Sequence, residues 1–135
     1  MGRVLVVDDN FTNRQLMMAF LSGKFECDVA VNGLEAAEAF HLSLENNKPY
    51  DIILLDIMMP EVDGIECLRA IRDEEKKRGI ALGEGVPVIM VTAYEAPFMK
   101  AFHGGVDDYI LKPVDPAVLF QKINKLLAGR QKKYE

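Results

Sequence analysis

Short, wholly apolar runs that stop at polar residues constrain this chain more than any other feature. Val4-Leu5-Val6-Val7 stops at Asp8-Asp9, Ile52-Ile53-Leu54-Leu55 at Asp56, the Val86–Val91 run at Thr92, and Tyr109-Ile110-Leu111 at Lys112-Pro113. A continuous apolar strand is buried on both faces, as in a parallel sheet covered by helices. Cys27 to Val31 reads as a further strand. Between these runs the period changes to that of helices. Thr12-Asn13-Arg14-Gln15 is a capping-box pattern ahead of Leu16, Met17, Phe20 and Leu21. Asn32 caps a second helix, with Glu35 reaching back and Leu34, Ala37, His41 and Leu44 as its apolar stripe. Ile65, Leu68 and Ile71 mark a third helix, whose Glu74–Lys77 charge run reads as a solvated end. Pro97 opens a short helix that stops at Gly104-Gly105. Asp115 and Pro116 start a last helix, lined by Leu119, Ile123 and Leu126 and ended by Gly129.

Strict alternation of strands and helices predicts one α/β domain, a doubly wound (βα)5 unit with helices on both faces of a parallel sheet. Ligands in such sheets lie beyond the carboxyl ends of the strands. Asp8, Asp9, Asp56, Thr92 and Lys112 all follow strands, so they converge on one edge. Three carboxylates at one edge repel one another unless a cation lies between them. Hard oxygen ligands without His or Cys suit Mg²⁺, with a lysine and a hydroxyl left to hold a phosphoryl group. The remaining carboxylate can act as a nucleophile. Singly, each residue has a simpler reading as a turn, a strand residue or a solvated lysine; the constellation does not.

Composition closes off several classes. Sixteen basic against 21 acidic side chains give a net charge of −5, which argues against a nucleic-acid binder or a basic recognition helix. No apolar run approaches about 18 residues, so no membrane span is expected, and the N-terminus is too short for a signal peptide. Cys27 and Cys67 lack metal-ligand spacing and read as buried thiols of a reducing, cytoplasmic compartment. His41 and His103 lie in predicted helices with no catalytic apparatus around them.

Val4–Asn10, Asp56 with Met59-Pro60 and Asp63-Gly64, Val91-Thr92-Ala93 and Tyr109–Pro113 together resemble the receiver domain of two-component response regulators. The resemblance covers nearly the whole chain and implies a flavodoxin-like sheet of order 2-1-3-4-5, an order for which chemotaxis receivers are a standard example. It implies a receiver domain over residues 1–129 and a basic C-terminal tail over 130–135. Asp56 would accept a phosphoryl group from the phosphohistidine of a histidine kinase or phosphotransfer protein. Asp8, Asp9, Asp56 and the Met58 backbone carbonyl would hold Mg²⁺, with Mn²⁺ as a substitute. Lys112, Thr92 and Ala93 would bind the phosphoryl group, and Tyr109 would turn inward as Thr92 moves. The Lys112–Pro113 bond is expected to be cis. Met58 and Tyr94 occupy the positions that tune hydrolysis, where an apolar and a bulky side chain imply a long-lived phosphorylated state. The domain would catalyse only its own phosphorylation and dephosphorylation, and pass the signal to a downstream protein or by dimerising. The alternatives are a receiver-fold interaction module that works without phosphorylation and a Mg²⁺-dependent aspartyl phosphohydrolase. A haloacid-dehalogenase-type enzyme would need a second Asp two residues after Asp8, where Asn10 stands. A flavin protein would need a phosphate-cradling loop after the first strand, where Asp8-Asp9 repel phosphate.

Overall fold

A computed structural model describes residues 2–56, 61–81, 83–93 and 105–134, without the side chains of 61–63, 65 and 130–134. Five parallel strands form one sheet of order β2-β1-β3-β4-β5. They are β1 (Gly2–Val7), β2 (Phe25–Ala30), β3 (Ile52–Asp56), β4 (Val88–Thr92) and β5 (Asp108–Leu111). The described helices are α1 (Phe11–Leu21), α2 (Gly33–Glu45), α3 (Glu61–Lys77) and α4 (Pro116–Tyr134). The helix expected to begin at Pro97 lies outside the described residues.

The two faces of the sheet carry separate cores, because alternate residues of a strand point to opposite sides. Leu5, Val7, Ile53, Leu55, Val88 and Met90 pack with Phe40 of α2 and with Cys67, Leu68 and Ile71 of α3. Val4, Val6, Ile52, Leu54, Ile89, Val91 and Ile110 pack with Met17 and Leu21 of α1 and with Leu119 and Ile123 of α4. The β3 and β4 strands are buried along their whole length, which explains their unbroken apolar sequence. At the sheet edge, β2 keeps a mixed pattern, with Glu26 and Asp28 exposed.

Local expectations needed correction at four places. The N-cap of α1 is Asn10, not Thr12: the Asn10 side chain accepts from the Asn13 N–H at 2.9 Å. The helix therefore starts earlier and Leu16 is left half exposed. The buried face of α2 is Gly33, Ala36, Phe40 and Ser43, one residue out of phase with the expected stripe, and Leu34 is 70% exposed. Small residues let the helix lie close to the sheet with Phe40 as its anchor. Asn32 does cap α2, and Glu35 Oε1 reaches back to the Val31 N–H. Gly129 does not end the last helix, which continues to Tyr134. It is not among the glycines with positive φ, so it lacks the backbone of a helix-ending glycine.

The fourth correction concerns Glu75. Within the supposedly solvated charge run it is only 4% exposed. Its carboxylate accepts the Val86 N–H at 2.6 Å and pairs with Arg72 at 2.7 Å. Arg72 also donates to the carbonyls of Val86 and Gly105, tying α3 to the starts of β4 and β5. A Cβ at Gly85 would meet the Glu75 carboxylate and displace it from the Val86 N–H. Removing the Glu75 carboxylate breaks a buried ion pair and leaves the Val86 N–H without its acceptor, although Arg72 keeps Asp107 at 3.3 Å. Glu75→Ala should therefore lose about 3 kcal/mol of stability, measured as a lower urea midpoint. A loss under about 0.5 kcal/mol, ordinary for a surface change, would count against the clasp.

Candidate functional site

The site is built where strands end. Asp8 follows β1, Asp56 closes β3, Thr92 closes β4 and Lys112 follows β5. Register sets their depth: Val7 lies opposite Leu55, Asp56 opposite Val91 and Thr92 opposite Leu111. The Lys112 N–H donates to the Thr92 carbonyl at 2.8 Å, which carries the β4–β5 ladder one step beyond the strand. Asp8, Asp56 and Thr92 are 6%, 2% and 1% exposed, whereas Asp9 is exposed.

Carboxylate oxygens of Asp8, Asp9 and Asp56 all lie within 4.8 Å of one another. The Lys112 ammonium is 3.2 Å from Asp56 Oδ1. Burial is the chief cause that lifts the Asp8 carboxyl to a pKa of about 6; the neighbouring Asp56 raises it further, and the Asn10 N–H and Lys112 lower it. Proximity of three acids is thus unfavourable in itself, and the donor set is one that a hard divalent cation satisfies. The fit for Mg²⁺ rests on this crowding and on the absence of His or Cys from the cluster.

The turn after β1 is fixed on several sides. Asp8 donates its N–H to the Ala30 carbonyl at 3.0 Å, and its Oδ1 accepts the Asn10 N–H at 2.9 Å. Its carbonyl accepts from the Arg14 guanidinium at 2.8 Å. Asn10 and Arg14 are not among the residues that the sequence places at the site. A polar cap and a cation on the helix turn that follows an acidic strand end are the signal that could have found them.

Ala93 follows β4 and is exposed. Tyr109 lies in β5, 38% exposed, with the Lys122 ammonium 5.3 Å from its ring centroid. The Lys112–Pro113 peptide bond is cis. Met58 and Tyr94 lie outside the described residues, as does His103. His41 is exposed on α2, 2.5 Å from Glu74 of α3. Cys27 and Cys67 are both free thiols, the first only partly buried. A groove of about 410 Å³ runs from Asp8 and Lys112 along Leu16, Met17 and Phe20 of α1, with Pro113 and Val114 opposite. Among the described residues no helix is long and apolar enough to cross a membrane.

Known proteins share the sequence pattern and the fold. The family model of the response regulator receiver domain matches residues 4–124. The transcriptional regulatory protein ResD of Bacillus subtilis is 42% identical over 128 residues, covering 93% of this chain and 48% of ResD. The receiver domain of the Saccharomyces cerevisiae response regulator Ssk1, solved with the histidine phosphotransfer signalling protein Ypd1, superposes with a TM-score of 0.77 and 30% identity. That match covers 94% of this chain and 89% of the other. The receiver domain of the Pseudomonas aeruginosa sensor histidine kinase PA1611, with magnesium coordinated in its active-site cleft, gives a TM-score of 0.76 at 26% identity, covering 95% and 99%. The chain spans about half the length of ResD and 7% of a hybrid histidine kinase from Dictyostelium discoideum to which it is 37% identical.

Proposed function

The chain belongs to the response regulator receiver domain family, and from that membership we propose that it is a phosphorylation-activated switch with Asp56 as phosphoryl acceptor. The observation that carries this reading is the cluster of three carboxylates within 4.8 Å with one ammonium 3.2 Å from Asp56. A carboxylate oxygen of Asp56 attacks the phosphorus of a phosphohistidine. The new O–P bond forms as the P–N bond breaks, and the departing imidazole keeps the bonding pair and takes up a proton. The product is an acyl phosphate on Asp56. Mg²⁺, held by Asp8, Asp9, Asp56 and the Met58 carbonyl, would supply positive charge against the phosphoryl oxygens. Lys112 neutralises a phosphoryl oxygen, and the Thr92 hydroxyl holds the group once attached. Tyr109, on the strand next to Thr92, answers its movement by turning inward.

The phosphodonor is a histidine kinase or a histidine phosphotransfer protein. The groove beside Asp8 and Lys112, with Leu16 on its wall, offers apolar contact area next to the acceptor. Incubation with acetyl phosphate and Mg²⁺, followed by intact mass, tests the reading without a cognate partner. Wild type should gain one phosphoryl group, and Asp56→Asn or EDTA-treated protein none. An unlabelled wild type, or equal labelling of Asp56→Asn, would overturn it.

A further inference from the structure

We infer that Arg14 is a positioning residue for the metal site, holding the Asp8-Asp9 turn in its cation-binding shape through the Asp8 main chain; the inference rests on the function proposed above. Asp8 is anchored at its N–H by the Ala30 carbonyl, at its carboxylate by the Asn10 N–H and at its carbonyl by Arg14. The first two anchors have backbone partners. Arg14 is the one anchor among them supplied by a side chain, and it reaches back across six residues from α1.

Its placement is itself constrained. The Arg14 N–H donates to the Asn10 carbonyl at 3.0 Å, the first bond of α1, and Asn10 caps the same turn. The guanidinium carbon lies 5.7 Å from the Phe11 ring centroid, so the ring limits where the group can swing. Among the described residues no carboxylate forms an ion pair with Arg14. Its Nη1 donor serves the turn. Three mutually repelling carboxylates press this turn to open when no cation is bound. A charge-assisted bond to the Asp8 carbonyl opposes that opening and keeps the ligands in place. Partners that orient ligands in this way typically change metal affinity by about 10- to 100-fold when removed.

The test is Mg²⁺ titration of the metal-free chain by calorimetry, for wild type, Arg14→Met, Arg14→Lys and Gln15→Met. Arg14→Met should weaken Mg²⁺ binding about tenfold, and Arg14→Lys, which keeps charge but loses the planar fork, should fall between it and wild type. Gln15→Met, an exposed change on the same helix, should bind as wild type does. Acetyl phosphate labelling of Arg14→Met should need correspondingly more Mg²⁺ to reach its plateau. Equal affinity in wild type and Arg14→Met overturns the inference and leaves the proposed function standing. Absence of Mg²⁺ binding by wild type overturns both. Should Arg14→Met fail to fold, Arg14→Lys decides, and a wild-type affinity there overturns the inference.

Discussion

Lys112→Met is expected to slow phosphorylation of Asp56 by about a hundredfold or more at saturating Mg²⁺, and to destabilise the metal-free chain at neutral pH. The ammonium lies 3.2 Å from Asp56 Oδ1, and Asp56 is 2% exposed beside two other carboxylates. Removing one partner of such a pair typically costs about 3 kcal/mol. Proton uptake by Asp8, whose carboxyl is raised to about 6, limits the loss, so it should shrink as pH falls toward 5. The rate effect has a different origin. Charge on the transferring phosphoryl group loses a preorganised cation beside a nearly buried acceptor, which mobile solvent replaces poorly. Lys112→Arg separates the two effects: it restores the charge and most of the stability but alters reach and hydrogen-bond geometry, so phosphorylation should remain slow. Urea midpoints and labelling rates measure the two effects separately. Wild-type labelling by Lys112→Met would remove Lys112 from the chemistry.

What the sequence made legible follows from what packing does to composition. Central strands are buried on both faces, so Val4–Val7, Ile52–Leu55 and Val88–Val91 stand out as unbroken apolar runs. Their polar neighbours are then placed by topology alone, since parallel strands put all their carboxyl ends on one edge. Asp8, Asp9, Asp56 and Lys112 were found in this way and do converge. The phase of α2 was not legible. Leu34 and Leu42 outrank Gly33, Ala36 and Ser43 in hydrophobicity, yet the small residues are the ones that let the helix approach the sheet. Glu75 was hidden because its partners are a backbone N–H eleven residues on and an arginine one turn back. Arg14 was hidden for a related reason: its target is a carbonyl, which carries no side-chain signal.

The metal-free chain should become less stable between pH 5 and pH 7, and Mg²⁺ should reverse that trend. Asp8 carries the argument, with a carboxyl raised from 3.8 to about 6 by burial and then by Asp56. A group raised in the folded state contributes stability that is complete below its unfolded value and lost as pH rises through its folded value. The window is therefore about 4 to 6, and linkage over the pH 5 to 7 interval amounts to about 1 kcal/mol. Metal binding adds about 2.7 kcal/mol at a hundredfold excess over Kd. It requires ionised carboxylates, so the gain should be larger at pH 7 than at pH 5. Asp8→Asn should flatten the metal-free profile and remove most of the Mg²⁺ response. Asp9→Asn should relieve repulsion, raise the metal-free stability slightly and also blunt the response. Urea unfolding at pH 5, 6 and 7, in EDTA and in Mg²⁺, reads all of these. A flat metal-free profile for wild type would show that burial and Asp56 do not raise the Asp8 carboxyl. Equal Mg²⁺ gains at pH 5 and 7 would show that no proton is displaced from the cluster, and would separate the cation from these three carboxylates.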